Sequence, residues 1–125
     1  MRRLLIGALL VAVLLPVIAS AQPFRVGGDV KAPVLTYKVE PIYPEEARRE
    51  RISGIVILET VIDRNGLVKD VTVLKPLPHG LSEAAVDAVK QWTFKPGTLD
   101  GQPVEVIFNL TVNFKLEKPK DSDPN

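Results

Sequence analysis

The sequence contains a single imidazole, His79, held between Pro78 and Gly80. Nucleophilic catalysis needs an activated hydroxyl or thiol, a base within hydrogen-bond reach and a third group that orients the base. The chain has no cysteine, and no second histidine stands near to share a metal or a proton with His79. It reads as a solvated loop histidine. The carboxylates are scattered. Asp63-Arg64-Asn65-Gly66 begins like a calcium-binding loop but lacks the later oxygen ligands, so Asp63 reads as a turn residue. Gly27-Gly28 opens no strand-turn-helix unit that could cradle phosphate. The side chains therefore imply no enzyme, no metal site and no cofactor.

What remains is the hydrogen-bonding capacity of the peptide groups themselves, and one segment presents it clearly. Val104, Val106, Phe108, Leu110, Val112, Phe114 and Leu116 alternate with Glu105, Ile107, Asn109, Thr111, Asn113 and Lys115. A period of two over 13 residues is one long half-buried strand. Burying its apolar side is worth on the order of a small domain's whole net stability. Without it no fold is expected.

Other elements must hold that strand. Gly54 to Asp63 and Leu67 to Leu74 are β-branched runs joined by Arg64-Asn65-Gly66, a β-hairpin in which Asn65 or Gly66 supplies the positive φ. Val56, Leu58, Thr60 and Ile62 face inward on its first strand; on the second, Val68 is out of phase with Val71 and Val73, which predicts a bulge. Pro44 opens a helix to Arg51, with Glu45 and Glu46 at the positive dipole end, Glu45 paired with Arg49, and Ala47 and Ile52 buried. After Pro76, Pro78 and Gly80, Ser82 is placed to cap a second helix, whose apolar stripe runs Leu81, Ala84, Ala85, Ala88, Val89 and Trp92. Val34 to Val39 is a short β-prone run, ended by Pro41. The order helix, hairpin, helix, long strand predicts an α+β domain: a three-stranded antiparallel sheet with two helices packed on one face and one open edge.

The 125 residues allow one such domain. Arg2 and Arg3 precede an apolar run from Leu4 to Ala19 and then Ala19-Ser20-Ala21, so residues 1–21 read as a secretory signal, cleaved before Gln22. A short anchor is the other reading, although the run falls short of the roughly 20 residues a bilayer needs. Residues 22–40 are an exposed lead-in, residues 41–117 the domain and residues 118–125 a disordered tail. Without Arg2 and Arg3 the chain carries 14 Lys and Arg against 15 Asp and Glu, with no basic cluster, so nucleic acid is excluded as a partner.

Tyr43-Pro44-x-x-Ala47, Gly54-x-Val56-x-Leu58, Asp63-x-x-Gly66-x-Val68, Ala85 and Trp92-x-Phe94-x-Pro96-Gly97 occur in that order. Together they resemble the TonB carboxy-terminal domain from about Pro41 to Leu116. The resemblance implies a periplasmic protein-binding domain that takes part in energy-dependent transport. It would dock on an outer-membrane receptor by taking up an extended segment of it as an added strand, here along Val104 to Phe114. An open strand edge meets that requirement. Ile107, Asn109, Thr111 and Asn113 would shape preference for the partner, and Tyr43, just before the first helix, would lie near it; an ordinary solvated face and a helix-entry staple are the structural readings of the same residues. Inner-membrane motor proteins are further partners if the chain is anchored. Energy transducers of this family resemble a membrane helix followed by a long Pro-rich spacer, whereas residues 22–42 reach roughly 70 Å when extended. The alternative function is a soluble periplasmic interaction module, or a homodimer, using the same edge without energy transfer.

Overall fold

The computed structural model describes residues 7–14 and 22–116. Most of the expected signal and the whole expected tail at 118–125 lie outside the described residues. Among those described, no helix is long and apolar enough to cross a membrane.

Nine strands and two helices follow in the order β1 (Phe24–Arg25), β2 (Val30–Lys31), β3 (Val34–Tyr37), α1 (Glu45–Arg49), β4 (Gly54–Ile62), β5 (Val68–Lys75), α2 (Leu81–Val89), β6 (Thr93–Lys95), β7 (Thr98–Leu99), β8 (Gln102–Pro103) and β9 (Val106–Phe114) among the described residues. The α+β expectation stands, but the sheet differs from the one expected. The antiparallel trio β9-β4-β5 gains a fourth strand, β1, which pairs in parallel with β9. Two smaller sheets, β2-β7-β8 and β3-β6, tie the lead-in to the domain. The short strand expected within Val34 to Val39 is β3, and the lead-in at 22–40 carries two further strands, β1 and β2.

Strand alternation decides the core. Val56, Leu58, Thr60 and Ile62 of β4 are buried, and so are Val106, Leu110, Val112 and Phe114 of β9. Val56, Leu58, Ile62, Leu110, Val112 and Phe114 form one apolar cluster with Ala47 of α1 and with Leu81, Ala85 and Val89 of α2, closed by Trp92 and Phe94. The Trp92 indole N–H donates to the Val39 carbonyl at 2.8 Å, so burying the ring leaves no orphan donor. The expected bulge on β5 is present twice. Ile62 pairs with Val68 while Val61 pairs with Asp70, leaving Lys69 unmatched; Leu58 pairs with Val73 while Ile57 pairs with Lys75, leaving Leu74 unmatched.

Local chemistry corrects three helix details. α1 ends at Arg49, two residues early, and Arg51 turns into the left-handed region at φ 54°. Glu45 and Arg49 form no ion pair among the described residues; the Glu46 carboxylate instead lies 2.9 Å from His79 Nδ1, bringing the loop before α2 against α1. Gly80, not Ser82, holds the capping position of α2. Ser82 lies one turn-step further in, donating to the Leu77 carbonyl and accepting from the Leu77 N–H, both at 2.9 Å. It fastens the loop rather than the helix end.

The hairpin turn is closed by the side chain of Asp63. The Asp63 carboxylate accepts the N–H groups of Asn65 at 2.8 Å and Leu67 at 3.0 Å, which confirms Asp63 as a turn residue. Gly66 then accepts from the Phe94 N–H at 2.8 Å, joining the turn to β6 across 28 residues of chain.

Candidate functional site

β9 pairs with β4 through nine consecutive residue pairs, Val106 with Ile62 to Phe114 with Gly54, with no shift of register. In a strand each residue's N–H and C=O point to the same side, and successive residues alternate. Two hydrogen bonds fix the phase. The Thr60 hydroxyl donates to the Phe108 carbonyl at 2.6 Å, so even-numbered residues address β4. The Phe24 N–H donates to the Glu105 carbonyl at 2.8 Å, so odd-numbered residues address the outer edge. Asn109, Thr111 and Asn113 therefore present their main-chain donors and acceptors outward, past the end of β1. Ile107 stands on the same side but is paired with Arg25.

The sequence placed Ile107, Asn109, Thr111 and Asn113 together, and the structure sets them on one face of β9, Ile107 half-buried and the other three exposed. What the sequence reading missed is the occupied first part of that edge. Phe24 and Arg25 pair with Val106 and Ile107. A two-residue strand has no periodicity to detect; the only trace is the β-prone Phe24-Arg25-Val26 ahead of Gly27-Gly28.

The strand itself is shorter than the expected 104–116; ahead of its start the Val104 N–H is taken by the Gly97 carbonyl at 3.0 Å.

Tyr43 lies apart from this row. Its hydroxyl donates to the Ile52 carbonyl, its ring meets Phe114 edge-on at 5.5 Å and 87°, and Arg48 covers it at 5.8 Å. These contacts fasten the entry of α1 to the far end of β9. Tyr43→Phe is expected to lower stability by about 1 kcal/mol through the deserted Ile52 carbonyl. Urea unfolding reads that loss, and a parallel fall in affinity for a bound peptide would show that the hydroxyl meets the partner too.

The sheet has a second open flank, the outer edge of β5, and the two differ chemically. β5 is broken by two bulges and carries Lys69, Asp70 and Lys75. Bulges and charge are the usual protection of an edge against pairing. The free part of β9 has unbroken register and uncharged Asn109, Thr111 and Asn113. It is the unprotected one.

Fold and site together define a small α+β domain that displays a bare strand edge. Residues 39–116 match the family described as Gram-negative bacterial TonB protein, C-terminal, and the chain belongs to that family. It is 34% identical over 99 residues to Protein TonB of Vibrio cholerae serotype O1, covering 78% of this chain and 39% of that protein. It is 39% identical over 77 residues to Protein TonB of Xanthomonas campestris pv. campestris strain B100, covering 61% and 34% respectively. The chain thus spans well under half the length of these relatives. The Vibrio anguillarum TonB2 structure is similar at a TM-score of 0.51 and 32% identity over 79% of this chain and 95% of that one. The solution structure of the Pseudomonas aeruginosa TonB CTD shares the fold at a TM-score of 0.54 and 24% identity, over 80% of this chain and all of that one.

Proposed function

We propose that the domain docks on outer-membrane receptors from the periplasm, taking an extended receptor segment as an additional strand beside β9, and so takes part in energy-dependent transport across the outer membrane. The observation that carries the reading is the free outer edge from Asn109 to Asn113, unbroken in register and without charge. Strand addition draws its affinity from main-chain hydrogen bonds and its selectivity from the side chains flanking them. Asn109, Thr111 and Asn113 supply both, Ile107 contributes an apolar side chain at one end, and Tyr43 borders the other end through Phe114. Family membership supplies the class of partner. A link to inner-membrane motor proteins follows if the chain is anchored there.

The test is titration of the chain with labelled peptides from the amino-terminal plugs of outer-membrane receptors. Asn109→Pro removes an outward donor while leaving the pairs to β4 on its even-numbered neighbours. It is expected to weaken capture at least about tenfold, the worth of one lost main-chain bond and a disturbed neighbour. Equal affinity for the variant would move docking off β9. Concentration-dependent dimerisation lost in Asn109→Pro, with no peptide bound, would assign the edge to a second copy instead.

A further inference from the structure

The segment that follows the expected export signal already behaves as a visiting strand. β1 adds to β9 at Val106 and Ile107 through main-chain bonding, with the Phe24 N–H on the Glu105 carbonyl at 2.8 Å. Its side chains are only partly covered: Phe24 is 43% exposed, Arg25 is exposed, and Val26 just beyond the strand is 45% exposed. A strand held this way is held by the same groups that a partner would use. Behind it the chain turns through Gly27-Gly28, closed by Gly27 N–H to Val30 carbonyl at 3.2 Å and Val30 N–H to Gly27 carbonyl at 3.0 Å. β2 then fastens the chain to β7, with Val30 against Leu99 and Lys31 against Thr98. The arrangement is a short strand on a glycine turn, tethered behind and partly exposed in front.

We propose that residues 22–26 are an internal latch on the docking edge, an intramolecular competitor that covers Ile107 and must lift for a partner strand to run the full length of β9. The proposal rests on strand addition at β9 as the docking mode. In the latched form a visitor meets only the outward groups of Asn109, Thr111 and Asn113. With the latch lifted, those of Glu105 and Ile107 join them. The tether at β2 keeps the latch close by, so it returns when the partner leaves.

Two variants of the full chain, in mild detergent, test this. Phe24→Pro deletes the N–H that reaches Glu105. Exchange of the Ile107 amide, followed by NMR, is expected to accelerate at least about tenfold, and receptor-plug peptides to bind about fivefold more tightly, the equivalent of one regained main-chain bond. The second variant, Arg25→Cys with Ile107→Cys, joins two registered neighbours whose strand spacing of about 4.8 Å suits a disulfide, in a chain that has no other cysteine. Its oxidised form is expected to bind peptide more weakly than its reduced form. Unchanged Ile107 exchange in Phe24→Pro would overturn the latch, because the edge would not be covered in solution. Equal peptide affinity with Ile107 released, or equal affinity of the oxidised and reduced double variant, would overturn it while leaving strand addition standing. Peptides that bind none of these forms would remove strand addition itself, and the latch with it.

Discussion

Gly66→Ala is expected to cost about 3–5 kcal/mol of folding free energy, a large part of the 5–15 kcal/mol that holds a domain of this size together. Two effects combine. Gly66 sits at φ 79°, where a side chain costs about 1–2 kcal/mol by its clash with the following carbonyl. A Cβ there would also stand 1.7 Å from the Phe94 carbonyl oxygen, inside contact distance of backbone that cannot rotate away. The turn must then retreat from β6, which breaks the 2.8 Å bond from the Phe94 N–H to the Gly66 carbonyl. Phe94 would shift with it, and its ring packs edge-on against Phe108 of β9 at 6.3 Å. Urea unfolding measures the loss; a change under about 1 kcal/mol would show that the turn can step aside freely. The same geometry brings Asp63-x-x-Gly66 and Trp92-x-Phe94, far apart in the sequence, against each other. They are two sides of one contact, remote from the docking edge.

What the sequence disclosed followed from periodicity, and what it concealed followed from chain segments too short to have any. Alternation along β4 and β9 named the buried faces correctly, since a strand with one side in the core must repeat every second residue. The broken phase of Val68 against Val71 disclosed a bulge, although the second bulge at Leu74 left no such mark because the run simply ends there. Ser82 looked like a cap because its type and place before an apolar stripe fit one; Gly80, in the left-handed region, took that position by starting the helix two residues sooner. Strands β1, β2, β7 and β8 have two residues each, and their pairing is decided by what the folded domain brings beside them. The site divided in the same way. Which side chains line the edge could be counted along the chain, whereas the covering of its first part by Phe24 and Arg25 required knowing where the lead-in returns.

Phe114→Ala should remove about 3–5 kcal/mol, because a large side chain only 2% exposed leaves a cavity the sheet cannot fill. Its place at the end of β9 makes the consequence local as well as global. Phe114 pairs with Gly54, which has no side chain to pack beside it, and its ring meets that of Tyr43 edge-on within the core cluster. Without Phe114 the last pairs, Asn113 with Ile55 and Val112 with Val56, lose the burial that holds them together. Amide exchange at Val112 is therefore expected to rise more than at Leu110 or Phe108, which lie nearer the middle of the strand. Uniform acceleration along β9 would mean instead that the domain opens as a unit. The local outcome bears on docking, because fraying this end withdraws the outward groups of Asn113 and Thr111 while those of Asn109 stay in place. A partner strand that spans the free edge should then lose affinity in Phe114→Ala under conditions where the domain remains folded, and one that retains it must pair through Asn109 and the stretch that β1 covers.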